Sequence, residues 1–151
     1  LQAKSVVQLK DIAKELGAKV KKSDNKNENK EMGKSIVREK AFVFAIRVVR
    51  LYKLLCERNE YVLSKQMLRS GTAIGALLKE AEHAQSVADF INKVNIALKE
   101  ANETEYWLML LKETDYISET EYESMNEIYS ELIKLTASIV KTTKNNLYGA
   151  K

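Results

Sequence analysis

Apolar residues recur at intervals of three and four along most of this chain, which is the spacing of an amphipathic α-helix. β-branched residues do not alternate with polar ones over any stretch, and no proline interrupts the pattern. The pattern therefore predicts an all-α protein. Its helices are expected near residues 4–16, 36–57, 61–83, 87–113 and 119–143.

The last four predicted helices are long and are joined by short turns. Ser86 with Asp89, and Ser118 with Glu121, have the spacing of capping boxes, in which two side chains bond the first amide groups of a helix. Long helices joined by short turns pack as antiparallel neighbours. We therefore predict an up-down-up-down four-helix bundle over residues 35–151, with a short lysine-containing C-terminal tail.

Residues 1–34 are predicted to form a basic N-terminal arm. A short helix near 4–16 is followed by a polar segment, residues 18–34, which cannot bury a face and is interpreted as a linker. The stretch from Val7 to Gly17, followed by Lys21 and Lys22, resembles the first half of a small helix-extended-helix nucleic-acid module. This resemblance implies that the arm takes part in binding nucleic acid.

The composition excludes several kinds of site. One Cys and one His cannot form an intrachain zinc site or disulfide, and the five glycines do not form a phosphate-binding loop. Glu80 and His83 have the spacing of a bundle di-iron motif, but a second such motif is missing, so His83 is interpreted as a helix-end residue. We expect a non-enzymatic protein without metal or cofactor. Without a long apolar segment, we expect it to be soluble and cytoplasmic, with no membrane partner.

The charge is unevenly distributed. The formal net charge is +4, and residues 1–34 alone hold nine lysines against five acidic residues. Residues 36–58 contain six basic and two acidic residues, whereas residues 86–140 contain four basic and eleven acidic residues. The predicted bundle is therefore neutral overall but polarised, with its first helix basic and its last two helices acidic.

On a helical wheel, the basic residues of the first bundle helix form a continuous stripe opposite its apolar side. Such a stripe is suited to contacts with phosphates. The alternative is a solvated face whose charges pair with acids of a neighbouring helix, and the polarised charge favours the first interpretation. The candidate nucleic-acid-binding residues are Arg38, Lys40, Arg47, Arg50 and Lys53, with Lys21 and Lys22 in the arm.

Two glycines lie inside the second bundle helix, where each costs about 1 kcal/mol relative to alanine. Gly71 and Gly75 are therefore expected at a close contact between helices or with a partner's backbone. Glu100, beside the core of the third helix, is expected to anchor an Arg or Lys from an adjacent helix or subunit. Together with Trp107, these residues are the candidates for helix or oligomer contacts.

Several ordered segments closely resemble the bacterial four-helix-bundle proteins encoded in intervening sequences of large-subunit ribosomal RNA genes. The resemblance covers about residues 36–146 and implies an antiparallel bundle, a ring-shaped homopentamer and no catalytic residues. Relatives of that family include the accessory variability protein of diversity-generating retroelements, which binds nucleic acid through a basic surface and partners a reverse transcriptase. The segments that carry the resemblance are residues 63–76, 80–81, 85–86, 88–90, 96–100 and 103–108.

Two hypotheses follow. The first is an oligomeric bundle that binds RNA or DNA phosphates through the basic helix face and arm, as accessory to a nucleic-acid-processing partner such as a reverse transcriptase. The alternative is a structural or protein-interaction module without nucleic-acid binding. Salt dependence separates the two, because only phosphate binding weakens steeply as salt rises.

Overall fold

A computed structural model describes residues 26–149, and within this range it contains four α-helices and no strand. Each helix packs mainly against two others, in the cyclic order α1, α2, α3, α4 and back to α1. This arrangement confirms the predicted all-α four-helix bundle. The helices are α1 (Lys26–Glu57), α2 (Leu63–Ala81), α3 (Val87–Glu113) and α4 (Glu119–Tyr148).

The core lies along the bundle axis, where the apolar faces of the four helices meet. The largest fully buried side chains come from every helix, so that no helix can be removed without exposing apolar surface. Burial of one such side chain contributes about 1.5–3 kcal/mol to stability. These side chains include Phe44 and Leu55 of α1, Met67 and Ile74 of α2, Leu108 and Leu111 of α3, and Leu132 of α4.

The first helix begins at Lys26, ten residues before the predicted start, so residues 26–34 of the predicted linker are helical. That part of the linker prediction was wrong. Once a helix has nucleated, each added residue gains a hydrogen bond, and Lys and Glu are good helix formers even without a face to bury. The last helix likewise extends to Tyr148. The predicted helix at 4–16 lies outside the described residues.

The predicted starts of α3 and α4 are confirmed. Ser86 Oγ accepts the amide of Asp89 at 3.0 Å, while the Asp89 carboxylate accepts the amide of Gln85 at 3.2 Å. At α4 the capping box is complete: Ser118 Oγ accepts the Glu121 amide at 3.1 Å, and Glu121 accepts the Ser118 amide at 2.9 Å. These side chains satisfy amide groups that have no partner within the helix.

Glu60 caps the start of α2, a role that the sequence did not reveal. Its carboxylate accepts the amides of Val62, Leu63 and Ser64 at 3.0, 2.8 and 2.6 Å. Burial acts to raise the pKa of Glu60, but these hydrogen bonds outweigh it and hold the pKa below its usual value. The carboxylate is therefore kept ionised where the helix exposes unpaired amide groups.

Candidate nucleic-acid interface and helix contacts

Three of the five candidate basic residues of α1 have partners within the bundle. Arg38 pairs with Glu82, Lys40 Nζ lies 2.7 Å from Glu131 Oε2, and Arg47 Nη2 donates to Ser124 Oγ at 2.8 Å.

Lys40 and Arg47 lie along the contact with α4, and Arg47 is partly buried. Burial, followed by the charge of Arg50, lowers the pKa of Arg47. The basic stripe is therefore not continuous as predicted, because Arg38 pairs with Glu82 at the end of α2 while Lys40 and Arg47 lie at the α1–α4 contact.

The other two candidates of α1 lie in solvent. Arg50 and Lys53 are exposed and form no ion pair with any other side chain that the structure describes. They keep their charges available to an external anion. Lys21 and Lys22 lie outside the described residues.

Gly71 lies where α1 and α2 approach closely. A Cβ added there would lie 2.8 and 2.9 Å from the two methyl carbons of Val48, closer than carbon atoms normally approach. At Gly75 the nearest atom would be Ala41 Cβ at 3.6 Å, an ordinary contact. The two mid-helix glycines therefore differ: only Gly71 occupies a space that excludes a methyl group.

Glu100 and Trp107 lie at the contact between α2 and α3 within one chain. Arg69 of α2 donates to Glu100 Oε2 at 3.2 Å and also to Glu103. The indole Nε1 of Trp107 donates to Glu103 Oε1 at 3.2 Å. The hydrogen bond from Arg69 is the main reason that the pKa of Glu103 lies below its usual value. The guanidinium thus joins two helices through two carboxylates.

Beneath this surface cluster, two buried hydroxyl groups join the same helices. The oxygens of Ser70 and Thr104 are 2.8 Å apart, and Thr104 Oγ1 also lies 2.8 Å from the carbonyl oxygen of Glu100. Both side chains are fully buried. The sequence carried a signal for this contact, since hydroxyl residues occupy positions where the helical period requires core residues, but it could not show that they face each other.

Tyr129 provides a further polar contact inside the bundle. Its hydroxyl donates to Glu105 Oε2 at 3.1 Å, and its ring lies 6.3 Å from that of Phe44. Burial, together with the charge of Glu105, raises the pKa of Tyr129. The tyrosine therefore stays neutral and links α3 to α4.

Two sets of apolar side chains point away from the core. On α1, Phe42 is 68% exposed and Val49 is also exposed; on α3, Tyr106 is 59% exposed and Met109 is also exposed. Because α1 and α3 occupy opposite corners of the bundle, the two sets belong to different parts of its surface. Large apolar side chains in groups at the surface are typical of interaction sites.

No three His, Cys, Asp or Glu side chains between residues 26 and 149 are grouped to hold a metal ion. His83 is exposed beyond the end of α2, as expected. Each of the helices described is too short or too polar to span a bilayer.

These features define an all-α four-helix bundle with a polarised charge and outward-facing apolar side chains. The chain belongs to the 23S rRNA-intervening sequence protein family, whose model matches residues 33–138. This confirms the family resemblance described above.

The fold also matches a crystal structure of a protein with unknown function from the S23 ribosomal protein family of Bacteroides thetaiotaomicron VPI-5482. The two chains are 59% identical, with a TM-score of 0.71, and the match covers 72% of this chain and 98% of the other. No functionally curated protein is significantly similar to this chain.

Proposed function

We propose that this protein is a non-enzymatic, homo-oligomeric four-helix bundle that binds RNA or DNA through its phosphates. The observation that carries the proposal is the exposure of Arg50 and Lys53, which have no ion pair among the described side chains, on a helix rich in basic residues. Charges without an internal partner are free to displace counterions from a nucleic acid, which is the main source of non-specific affinity.

The basic N-terminal arm adds further positive charge to the protein. Residues 1–34 hold nine of the chain's 25 basic residues, including Lys21 and Lys22. Lysines in such a segment contact phosphates without requiring a rigid geometry, since each is a flexible point charge. The arm therefore increases affinity without adding sequence specificity.

Self-association is the second part of the proposal. The exposed apolar sets belong to different helices at opposite corners of the bundle, so the set on α1 can pack against the set on α3 of a neighbouring copy. Such a head-to-tail contact forms a ring when the rotation closes. The family resemblance favours a pentamer. Light scattering is expected to give about five times the chain mass of 17.2 kDa, and a mass of 17.2 kDa at micromolar concentration would contradict self-association.

The family resemblance also supports a role as accessory to a nucleic-acid-processing protein, such as a reverse transcriptase, in the cytoplasm. A pull-down with a candidate reverse transcriptase, before and after nuclease treatment, tests this role. A contact between the proteins survives the nuclease, whereas a nucleic-acid bridge does not.

Two double variants test phosphate binding. Arg50→Gln with Lys53→Gln removes exposed charges, and the matched control Arg38→Gln with Lys40→Gln removes two charges that already have partners. For the first variant, we expect the slope of log affinity against log salt to fall by about 0.7 per phosphate on single strands or about 0.9 on duplex DNA. The control should keep a slope close to that of the wild type.

The alternative function is a structural or protein-interaction module. It is favoured by the internal partners of Arg38, Lys40 and Arg47 and by the outward-facing apolar side chains. If the Arg50/Lys53 variant binds nucleic acid as the wild type does but dissociates into monomers, these charges serve assembly and the alternative is correct.

A further inference from the structure

The last helix is divided into an acidic and a basic half. Residues 119–131 contain five glutamates, whereas residues 132–149 contain three lysines and no acidic residue. Lys134, Lys141 and Lys144 are all exposed, and none forms an ion pair with another side chain in the described range. The basic half of α4 therefore carries charge that the bundle does not neutralise.

The helix dipole does not account for these lysines. A positive charge near a helix C-terminus is stabilising, but the effect falls off within the last turn. The last turn of α4 contains no basic residue, and Lys134 lies several turns before the end at Tyr148. Neither ion pairing nor the dipole gives these three side chains a role in the stability of the fold.

The lysines share one face of α4 with other groups suited to nucleic acid. Positions 134, 138, 141, 145 and 148 follow the helical repeat and are all exposed, and Tyr148 is 71% exposed. Lys144, also exposed, lies at the edge of this face. Hydroxyl and amide groups donate to phosphate oxygens, and a tyrosine ring stacks on bases. This face extends about 21 Å. We define the α4 basic face as Lys134, Ser138, Lys141, Lys144, Asn145 and Tyr148.

The α4 basic face extends to the end of the bundle at which α1 begins. Lys34 and Val37 of α1 and Ile139 of α4 line the same small apolar pocket, which has a volume of about 20 Å³. The first residues of α1 and the last residues of α4, which are far apart in sequence, thus lie at the same end of the bundle.

We propose that the α4 basic face binds a single-stranded nucleic acid, with its lysines on phosphates and Tyr148 stacked on a base. The inference rests on the proposed function and assigns it a second surface, apart from Arg50 and Lys53. A single strand is favoured because its bases are free to stack on an exposed ring, whereas those of a duplex are already stacked on each other.

The test is binding of a fluorescent single-stranded oligouridine to the full chain, followed by anisotropy over a range of salt concentrations. In the variant Lys134→Gln, Lys141→Gln, Lys144→Gln we expect the salt slope to fall by about 0.7 for each phosphate that the variant no longer binds. Tyr148→Leu should weaken binding at least about fivefold and leave the slope unchanged, because stacking releases no counterions.

A matched control removes three exposed lysines elsewhere on the bundle. Lys65, Lys79 and Lys99 are exposed and have no ion pair among the described side chains, so Lys65→Gln, Lys79→Gln, Lys99→Gln changes the net charge equally. We expect this control to keep the wild-type slope. An equal decrease in both triple variants would overturn the assignment, because net charge alone would then explain the binding.

The remaining outcomes separate the two proposals. If the wild type binds and the α4 triple variant keeps its slope, the α4 basic face is not the site, but the proposed function stands. If the wild type does not bind even at low salt, both proposals are wrong. The stacking role of Tyr148 is tested by measuring Tyr148→Leu with both a single strand and a duplex. If its affinity falls equally for both, or for neither, Tyr148 does not stack on a base.

Discussion

Polar residues have different surroundings in two regions of the molecule. One region is the contact between α2 and α3, and the other is the basic half of α4. At the first, Arg69, Thr104 and Trp107 each have a partner on the same or the facing helix. On the second, Lys134, Lys141 and Lys144 have no ion pair within the described residues. Residues that determine stability and residues available for binding thus lie in different parts of the molecule, and substitutions should separate the two properties.

The largest effect on stability is expected from Thr104→Val. The valine removes the hydroxyl that lies 2.8 Å from the buried Ser70 hydroxyl and leaves the latter only a long contact of 3.4 Å to the carbonyl oxygen of Met67. This change should lower the free energy of unfolding by about 1–3 kcal/mol. Urea unfolding measures this change. Adding Ser70→Ala should recover part of the stability, because an apolar pair has no unpaired hydroxyl. If the double variant is less stable than either single variant, the shared hydrogen bond is not what stabilises this contact.

Replacing the two glycines of α2 by alanine is expected to change stability in opposite directions. Gly71→Ala crowds Val48, which costs about 1–3 kcal/mol, and the better helix propensity of alanine offsets about 1 kcal/mol of this. At Gly75 there is space for the added methyl group, so Gly75→Ala should stabilise the protein by up to about 1 kcal/mol. Thermal unfolding of the two variants tests the close approach of α1 and α2. If Gly71→Ala does not lower the melting temperature, the two helices are not packed as closely as described.

Stability should decrease as the pH falls into the acidic range. The pKa values of Glu60, Glu103 and Glu121 are lowered in the folded state, so the folded protein binds fewer protons than the unfolded chain. Their contribution is fully present above the unfolded pKa of about 4.3 and is lost as the pH falls through the lower folded values.

The substitution Glu60→Gln measures the contribution of Glu60 to the pH dependence of stability. Removal of the ionised cap should lower stability at neutral pH by about 1 kcal/mol and make the acid side of the pH profile less steep. Urea unfolding of both proteins between neutral and acidic pH provides the comparison. Parallel profiles for the variant and the wild type would show that folding does not lower the pKa of Glu60.

The smallest effects on stability are expected at the surface. Arg69 is half exposed, so Arg69→Gln should lower stability by only about 0.2–1 kcal/mol despite its two carboxylate partners. The α4 triple variant should change stability by at most about 0.5 kcal/mol per residue. A larger decrease in the α4 variant would mean that its lysines support the fold, and the contrast between the two regions would fail.

The helical periodicity was sufficient to predict the four helices and their order, because the apolar positions at 36–57 and beyond define one core face on each helix. It could not predict the start of α1, since a polar helix that extends beyond the core carries no periodic signal. The prediction of a continuous basic stripe on α1 was only partly correct for a related reason. A helical wheel places Lys40 and Arg47 relative to their own helix, but it does not show that α4 lies beside them.

The role of Glu60 and the pairing of Ser70 with Thr104 also required the structure. An acidic residue before a helix is common, and only the backbone of the turn brings its carboxylate to three amides. Contacts between helices depend on rotation and height along the bundle, which one sequence does not specify. Gly71, by contrast, was predictable as a close contact because glycine inside a helix has a cost that must be offset.

The central claim, that this bundle binds nucleic acid through phosphates, is tested most directly by purifying the full chain without nuclease. We predict that the protein elutes at low salt with bound nucleic acid, visible in its ultraviolet absorbance, and that high salt removes it. The ratio of nucleic acid to protein should fall in the variants of Arg50 and Lys53 and of the α4 basic face. A protein that elutes free of nucleic acid at low salt, and that also fails to bind added RNA or DNA, would contradict the claim.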